Sequence, residues 1–254
     1  MKFRVLGCSG GIGGALRTTS FLVDEDILID AGTGVGSLSL EEMCKIDHIF
    51  LTHSHLDHIA SIPLLVDSAG YLRKKPVTIY AIAETIEALK KHIFNWVIWP
   101  DFNRIPSPEL PYIQYRVISQ GEKIELDGRQ FTSLPAVHTV PAVGYCLDSG
   151  KGSIVFSGDT TTNDALWEIV NGISNLRYVI IETAFSDGEL ETASLSKHLC
   201  PSLLREELKK LVRQVPVYVT HLKPGELGLI MKEIEQGAGR VRPEMLVNGQ
   251  ILEI

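Results

Sequence analysis

Four apolar runs in this chain each break off at a residue that can bind a metal: "HIFLT" runs into His53, "FTSLPAV" into His138, "SIVFSG" into Asp159 and "VYVT" into His221. A buried strand holds its backbone rigid while the loop past its carboxyl end faces solvent, so residues there keep a fixed geometry around a ligand. One histidine at a strand end is usually just a hydrogen-bonded side chain. Four strand ends with such residues constrain the chain to a sheet-based fold in which those ends converge.

The first run opens the cluster "HSHLDH", residues 53 to 58, which holds three of the chain's eight histidines. So polar a cluster, set between a buried strand and a helix, is costly to bury and has no evident packing role. His53 and His55 lie two apart and can point the same way from an extended segment. Asp57 and His58 then fall at the start of the next helix, facing a second position. That arrangement suits two metals rather than one, because a tetrahedral zinc uses four ligands.

The remaining pattern is mixed α and β. "FRVLG", "SFLVD" and "DILIDAG" read as short strands broken by glycine turns, and "LDHIASIPLLVDSAGYL" as a helix that its proline bends or starts. "PVTIYA" is a strand, and "AETIEALKKHIFNWV" is predicted helical with Ile86, Leu89, Ile93 and Val97 on one face. Residues 100 to 111 hold four of the twelve prolines and read as irregular. The strands "IQYRVIS", "EKIEL", "RQFTSLPAVH", "VGYCLD" and "SIVFSGD" follow. Helices at "DALWEIV", "PSLLREELKKLV" and "ELGLIMKEIEQ" then alternate with the strands "YVIIETA" and "VYVTH". Strands first, then strands alternating with helices, predict an α/β layered sandwich in a single domain over residues 1–254.

A net charge of −7 argues against broad electrostatic binding to nucleic acid or anionic membrane, although two divalent ions would add +4. Cys8, Cys44, Cys146 and Cys200 are widely spaced and form no Cys-x-x-Cys pair, which predicts reduced thiols and a cytoplasmic location. The apolar stretch before Cys8 is too short for a signal-peptide core, and no run is long enough to span a bilayer.

With His138, Asp159 and His221, "THSHLDH" resembles the His-x-His-x-Asp-His signature of the metallo-β-lactamase superfamily, and "ILIDAGTG" resembles the stretch that precedes it there. The resemblance implies a four-layer αββα sandwich with a dinuclear centre. It implies one metal on His53, His55 and His138, the other on Asp57, His58 and His221, and Asp159 bridging them. His55, where the redox-active di-iron branch has glutamate, places the chain nearer the hydrolytic branch. Zinc is the first expectation for the two divalent ions, with manganese and iron as alternatives that residue types do not separate.

Within the superfamily, "HSHLDHIASIPLLVDSA", "KPVTIYAIAETIEALKKHIFNWVIWPDF" and "IETAFSDGELETASLSKHLCPSLLREELKKL" resemble class II cyclic nucleotide phosphodiesterases. The implied reaction is hydrolysis of a small 3′,5′-cyclic nucleotide to a 5′-nucleotide, with a homodimer expected on the resemblance alone. His198 resembles the non-ligand histidine near the leaving oxygen, and with Asp57 it is the expected catalytic residue. Glu182, ending "YVIIE", is either a partner supporting the site or a satisfied buried carboxylate. Phe94, Trp96, Trp99 and Phe102 are either purine-stacking residues or core or dimer contacts. His48 and His92 match nothing and are read as structural.

Other readings compete. "GCSGG", residues 7 to 11, matches a serine-hydrolase nucleophile elbow, but it is followed by another glycine pair and a strand, so it is read as a hairpin turn with Ser9 inert. "SLSK", Ser194 to Lys197, imitates a Ser-x-x-Lys motif without the accompanying Lys-Thr-Gly. The tRNA 3′-processing endonucleases share the metal motif and a late histidine, but the residues after His198 depart from their His-Ser-Thr, and no lysine/arginine-rich arm is evident. Nucleic acid is therefore not the expected partner. A metal-binding module without turnover is the non-enzymatic alternative, and the completeness of the ligand set weighs against it.

Overall fold

The computed structural model describes residues 1–237 and 239–254. Among the described residues, fourteen strands form two seven-stranded sheets. The first contains β1 (Lys2–Gly7), β2 (Ser20–Val23), β3 (Ile27–Ile29), β4 (His48–Phe50), β5 (Val77–Ala81), β6 (Ile113–Val117) and the C-terminal β14 (Ile251–Glu253), in the order β14-β1-β2-β3-β4-β5-β6. The second contains β7 (Lys123–Leu126), β8 (Arg129–Pro135), β9 (Val143–Asp148), β10 (Ser153–Phe156), β11 (Leu176–Glu182), β12 (Val217–Thr220) and β13 (Glu244–Met245), in reverse spatial order from β13 to β7. Strands β3 to β6 run parallel, as do β10 to β13, and the remaining pairs are antiparallel.

Side-chain alternation explains the layers. In β4, Ile49 turns to one face and Phe50 to the other, so both faces of the strand are apolar and both must be covered. Phe50 joins a core shared by the two sheets, stacking on Tyr80 at 4.4 Å and on Phe131 of the opposite sheet at 4.6 Å between ring centroids. Such pairs add roughly 0.5–1.5 kcal/mol each beyond area burial. Ile49 joins a core beneath α1 (Leu40–Lys45), α2 (Leu56–Ile59), α3 (Ile62–Ala69) and α4 (Ala83–Ala88). The second sheet's outer face packs in the same way under α5 (Asp164–Gly172), α7 (Pro201–Lys209) and α8 (Leu227–Gln236), with Trp167, Leu204 and Ile230 buried; α6 (Leu190–Ser196) precedes His198. The result is the expected αββα sandwich.

One local expectation is corrected, and two of the aromatics take the core alternative. The helix expected to reach Val97 ends at Ile93, where α4 widens into a π-helical turn over Leu89–Ile93; Val97 lies beyond it and is 85% exposed. Asn95 stops the helix there, its side-chain oxygen accepting from the Val97 and Ile98 amides. Phe94 and Phe102 are buried in the first sheet's outer core, with Trp99 packed against it, so neither phenylalanine is available to stack on a base; only Trp96 of the four aromatics is exposed. Pro63, at the start of α3, separates that helix from α2.

Candidate metal centre

The four strand ends meet at one rim of the sandwich. Beyond β4, Thr52 is pinned by Asp30, whose carboxylate accepts from the Thr52 amide and hydroxyl, both at 2.8 Å. His53 and His55 follow in extended backbone, and Asp57 and His58 fall in the single turn of α2. Three residues past β8 comes His138, three past β10 comes Asp159, and directly after β12 comes His221.

Asp159 is the hub. Its Oδ2 lies 3.2 Å from His221 Nε2, 3.3 Å from His58 Nε2, 3.7 Å from His53 Nε2 and 4.0 Å from His138 Nε2. The ligating atoms of His53, His55 and His138 lie within 4.8 Å of one another, as do those of Asp57, His58 and His221. His138 Nε2 is 3.1 Å from His55 Nδ1, and His221 Nε2 is 3.1 Å from Asp57 Oδ2. All seven residues expected as ligands are thus brought together, and the ligating atoms of His53, His58 and Asp159, and of His138, Asp159 and His198, also lie within 4.8 Å of one another.

The donor set fits divalent metal ions. Nε2 of His53 and of His58 and Oδ1 of Asp159 are buried without a hydrogen-bond partner. Leaving such atoms unpaired costs about 1–3 kcal/mol each, a cost that a coordinated cation removes. The electrostatics agree: burial, reinforced by His58, pushes His53 well below the ordinary histidine range, and burial pushes His138 down to about 4. Neutral imidazole is the ligating form, so His58, fully buried but raised well above its ordinary range by Asp159 and Asp30, must lose a proton to bind a metal. Asp57 and Asp159 are desolvated, but the surrounding histidines outweigh that and hold both carboxyls ionised well below their usual range.

His198 lies beside this cluster, its ring centroid 4.9 Å from that of His138 and 5.1 Å from that of His221, nearly parallel to the latter. Its Nδ1 is 2.8 Å from Glu182 Oε1. Burial works against the imidazolium, but Glu182 and Asp159 more than offset it and raise His198 above its ordinary value. Glu182 satisfies both of its sequence readings: it is fully buried, accepts from the Thr160 and Leu199 amides, and partners His198.

Several supporting residues escape sequence reasoning. Asp30 sits 2.7 Å from His58 Nδ1, which leaves Nε2 to face the centre. The Lys197 carbonyl is 3.2 Å from His138 Nδ1, and its ammonium donates to the His138 carbonyl. "GCSGG" is no plain hairpin turn: the Cys8 carbonyl accepts from the His221 amide at 2.8 Å, and a Cβ on Gly10 would fall 2.4 Å from the His221 carbonyl. His221 itself adopts a left-handed φ of 68°, a strained conformation for a histidine that this clasp maintains. Ser9 is spent on the Leu222 carbonyl, and Ser194 of "SLSK" bonds back to its own helix at Leu190. The only signal in the sequence was the proximity of "ILID" to the metal motif. A further cluster, Asp26, Asp47 and His48, is already neutralised by Arg129, Arg73 and Lys75.

The fold and this centre define a metallo-β-lactamase-type hydrolase. The chain belongs to that family: the β-lactamase superfamily domain matches residues 25–236. Among individual proteins, it is 27% identical over 257 aligned residues to a probable 3′,5′-cyclic-nucleotide phosphodiesterase of Yersinia pestis, covering 89% of this chain and 72% of that one. It is 31% identical to a ribonuclease Z of Clostridium beijerinckii over 56% of this chain and 47% of that one, so it spans about half of that relative's length. The unliganded crystal structure of yeast PDE1 superposes with a TM-score of 0.81 at 19% identity, covering 100% of this chain and 99% of that one. All four cysteines are free, and among the described residues no helix is long and apolar enough to cross a membrane.

Proposed function

We propose that the protein is a dinuclear-metal phosphodiesterase that hydrolyses 3′,5′-cyclic nucleotides to 5′-nucleotides. The observation that carries the reading is the position of Asp159 Oδ2 between the two histidine groups, within 4.0 Å of four imidazole nitrogens. In this reading His53, His55 and His138 would hold one divalent ion and Asp57, His58 and His221 the other, with Asp159 available to both groups and zinc the first choice. Such ions supply Lewis-acid polarisation of a phosphoryl oxygen and a water of lowered pKa.

The chain's own residues do the rest. With Nδ1 engaged by Glu182, His198 has Nε2 left to give a proton to the departing sugar oxygen. Proton transfer of this kind contributes roughly 10²–10⁴-fold. Asp57, with its side chain 28% exposed, is the carboxylate of the cluster most open to substrate and incoming water. The similarity to the Yersinia phosphodiesterase favours a cyclic nucleotide, whereas the ribonuclease Z similarity keeps pre-tRNA as the second reading.

The test is to incubate metal-loaded protein with 3′,5′-cyclic AMP, with and without chelator, and to separate the products by chromatography. Chelator-sensitive 5′-AMP is the expected result. No product from either cyclic AMP or cyclic GMP, with both metals confirmed bound, would discard the cyclic nucleotide reading and make pre-tRNA the next substrate.

A further inference from the structure

We infer that the cleft beside His138 seats the base and ribose of the substrate, while the phosphate lies over the metal cluster; the inference deepens the phosphodiesterase reading and rests on it. The cleft has a volume of about 710 Å³, within the ~300–1,000 Å³ typical of small-molecule sites. It opens at the carboxyl ends of β5, β6 and β8, strands of the same rim that carries the metal ligands, and His138 is itself part of its lining. A substrate atom at the cluster therefore has a pocket directly alongside it.

The chemistry of the walls selects the occupant. Ile82, Val117 and Val140 provide apolar surface for a flat ring, and Gln120 and Glu84 offer donors and acceptors to its edges. Among the described residues no lysine or arginine lines the cleft, so it is unsuited to phosphate. A cation stands instead near His198: Lys223 lies over the Phe185 ring at 6.0 Å, and that ring is 5.8 Å from His198. Lys223 Nζ is held by the Gly10 carbonyl at 2.7 Å and has no carboxylate partner among the described residues. Lys197 Nζ, which donates to the His138 carbonyl at 3.0 Å, adds a second cation where the cleft meets the cluster, so cations flank the cluster while the cleft walls carry Glu84 as their one acidic side chain, and no lysine or arginine, among the described residues. A single nucleotide matches this division. A polynucleotide would bring further phosphates against Glu84.

The test uses the metal-loaded full chain with two variants, Val117→Trp, which fills the cleft from an exposed strand end, and Gln120→Ala, which removes an exposed amide. For each, kcat/KM is measured on 3′,5′-cyclic AMP and on bis(4-nitrophenyl) phosphate, a diester without a nucleoside. The ratio of the two is expected to fall at least tenfold in Val117→Trp, through KM for the nucleotide, and at least threefold in Gln120→Ala. Ratios within twofold of wild type in both variants would overturn the cleft assignment and leave the phosphodiesterase reading standing. A wild-type protein that cleaves the synthetic diester but no cyclic nucleotide would overturn both.

Discussion

Asp30 and Glu182 do the same job for different histidines. Each is fully buried, each accepts backbone hydrogen bonds or holds a hydroxyl, and each engages the Nδ1 of an imidazole whose Nε2 is then left toward the centre. Their substitutions should nevertheless differ from those of the residues they support. Asp30→Ala frees the His58 ring, and outer partners of this kind cost about 10–100-fold in metal affinity; competition against a chelating indicator should show weaker binding of one of two ions. Undiminished affinity for both would mean that packing alone orients His58. His198→Ala, by contrast, should retain both metals by elemental analysis and lose about 10²-fold in kcat, whereas Asp159→Ala should lose metal and activity together. An unchanged kcat in His198→Ala would remove its proton-donor role. The seven clustered residues were legible because each follows an apolar run or sits in "HSHLDH". Asp30, Lys197 and Gly10 were not, because their partners lie 28, 59 and 211 positions away and only the folded topology brings them together.

Among the elements, the turn joining β7 to β8 shows how local chemistry fixes a register. Asp127 and Gly128 are its two central residues, with φ of 49° and 78°, and Leu126 pairs directly with Arg129. Two positive φ angles in a two-residue loop define the type I′ turn that Asp-Gly favours. The register matters because Arg129 reaches from the second sheet to the first, donating to Asp26 at 2.6 and 2.8 Å and to Asp24 at 3.1 Å. Gly128→Ala forces a Cβ into the left-handed region and should cost about 1 kcal/mol. Denaturant titration should show a lower midpoint with an unchanged slope, and the metal content should remain at wild-type level; equal midpoints would mean that the turn relaxes without strain. The long apolar strands and the helices α5, α7 and α8 were readable from periodicity. The two-residue β13, the three-residue β14 and the short α1 and α6 were not, since none is long enough for an apolar repeat to stand out, and β14 exists only through pairing with β1. The helix running into Val97 was overextended because its apolar spacing continues past the point where Asn95 ends it.

At the level of the whole molecule, the centre joins the two sheets. His53, His55, Asp57 and His58 follow a strand of the first sheet, whereas His138, Asp159 and His221 follow strands of the second. Metal held there would therefore link the two sheets of the sandwich, and its removal should be visible in stability. Ligand present at 100 to 1,000 times its Kd stabilises by about 2.7–4.1 kcal/mol, and each kcal/mol moves Tm by roughly 2–4 °C in a chain of this size, so chelation should lower Tm by about 5–15 °C. The metal-free protein should also be acid-sensitive in a defined window. Burial holds His138 at about 4 and lowers His53 and His55 in the same direction, while an unfolded histidine titrates near ~6.5. Between those values the unfolded chain binds more protons than the folded one, so stability falls as pH is lowered from about 6.5 toward 4. His58 and His198 have the opposite sign: burial works against the charged form of each, but Asp159 and Asp30 raise His58 and Glu182 and Asp159 raise His198, so their contributions are lost as pH rises instead. Thermal melts of chelated protein at pH 7, 6 and 5 should therefore show Tm falling at each acid step. A Tm that held steady or rose from pH 6 to 5 would mean that His138, His53 and His55 are already protonated in the folded metal-free state, and that the cluster relaxes when it is empty.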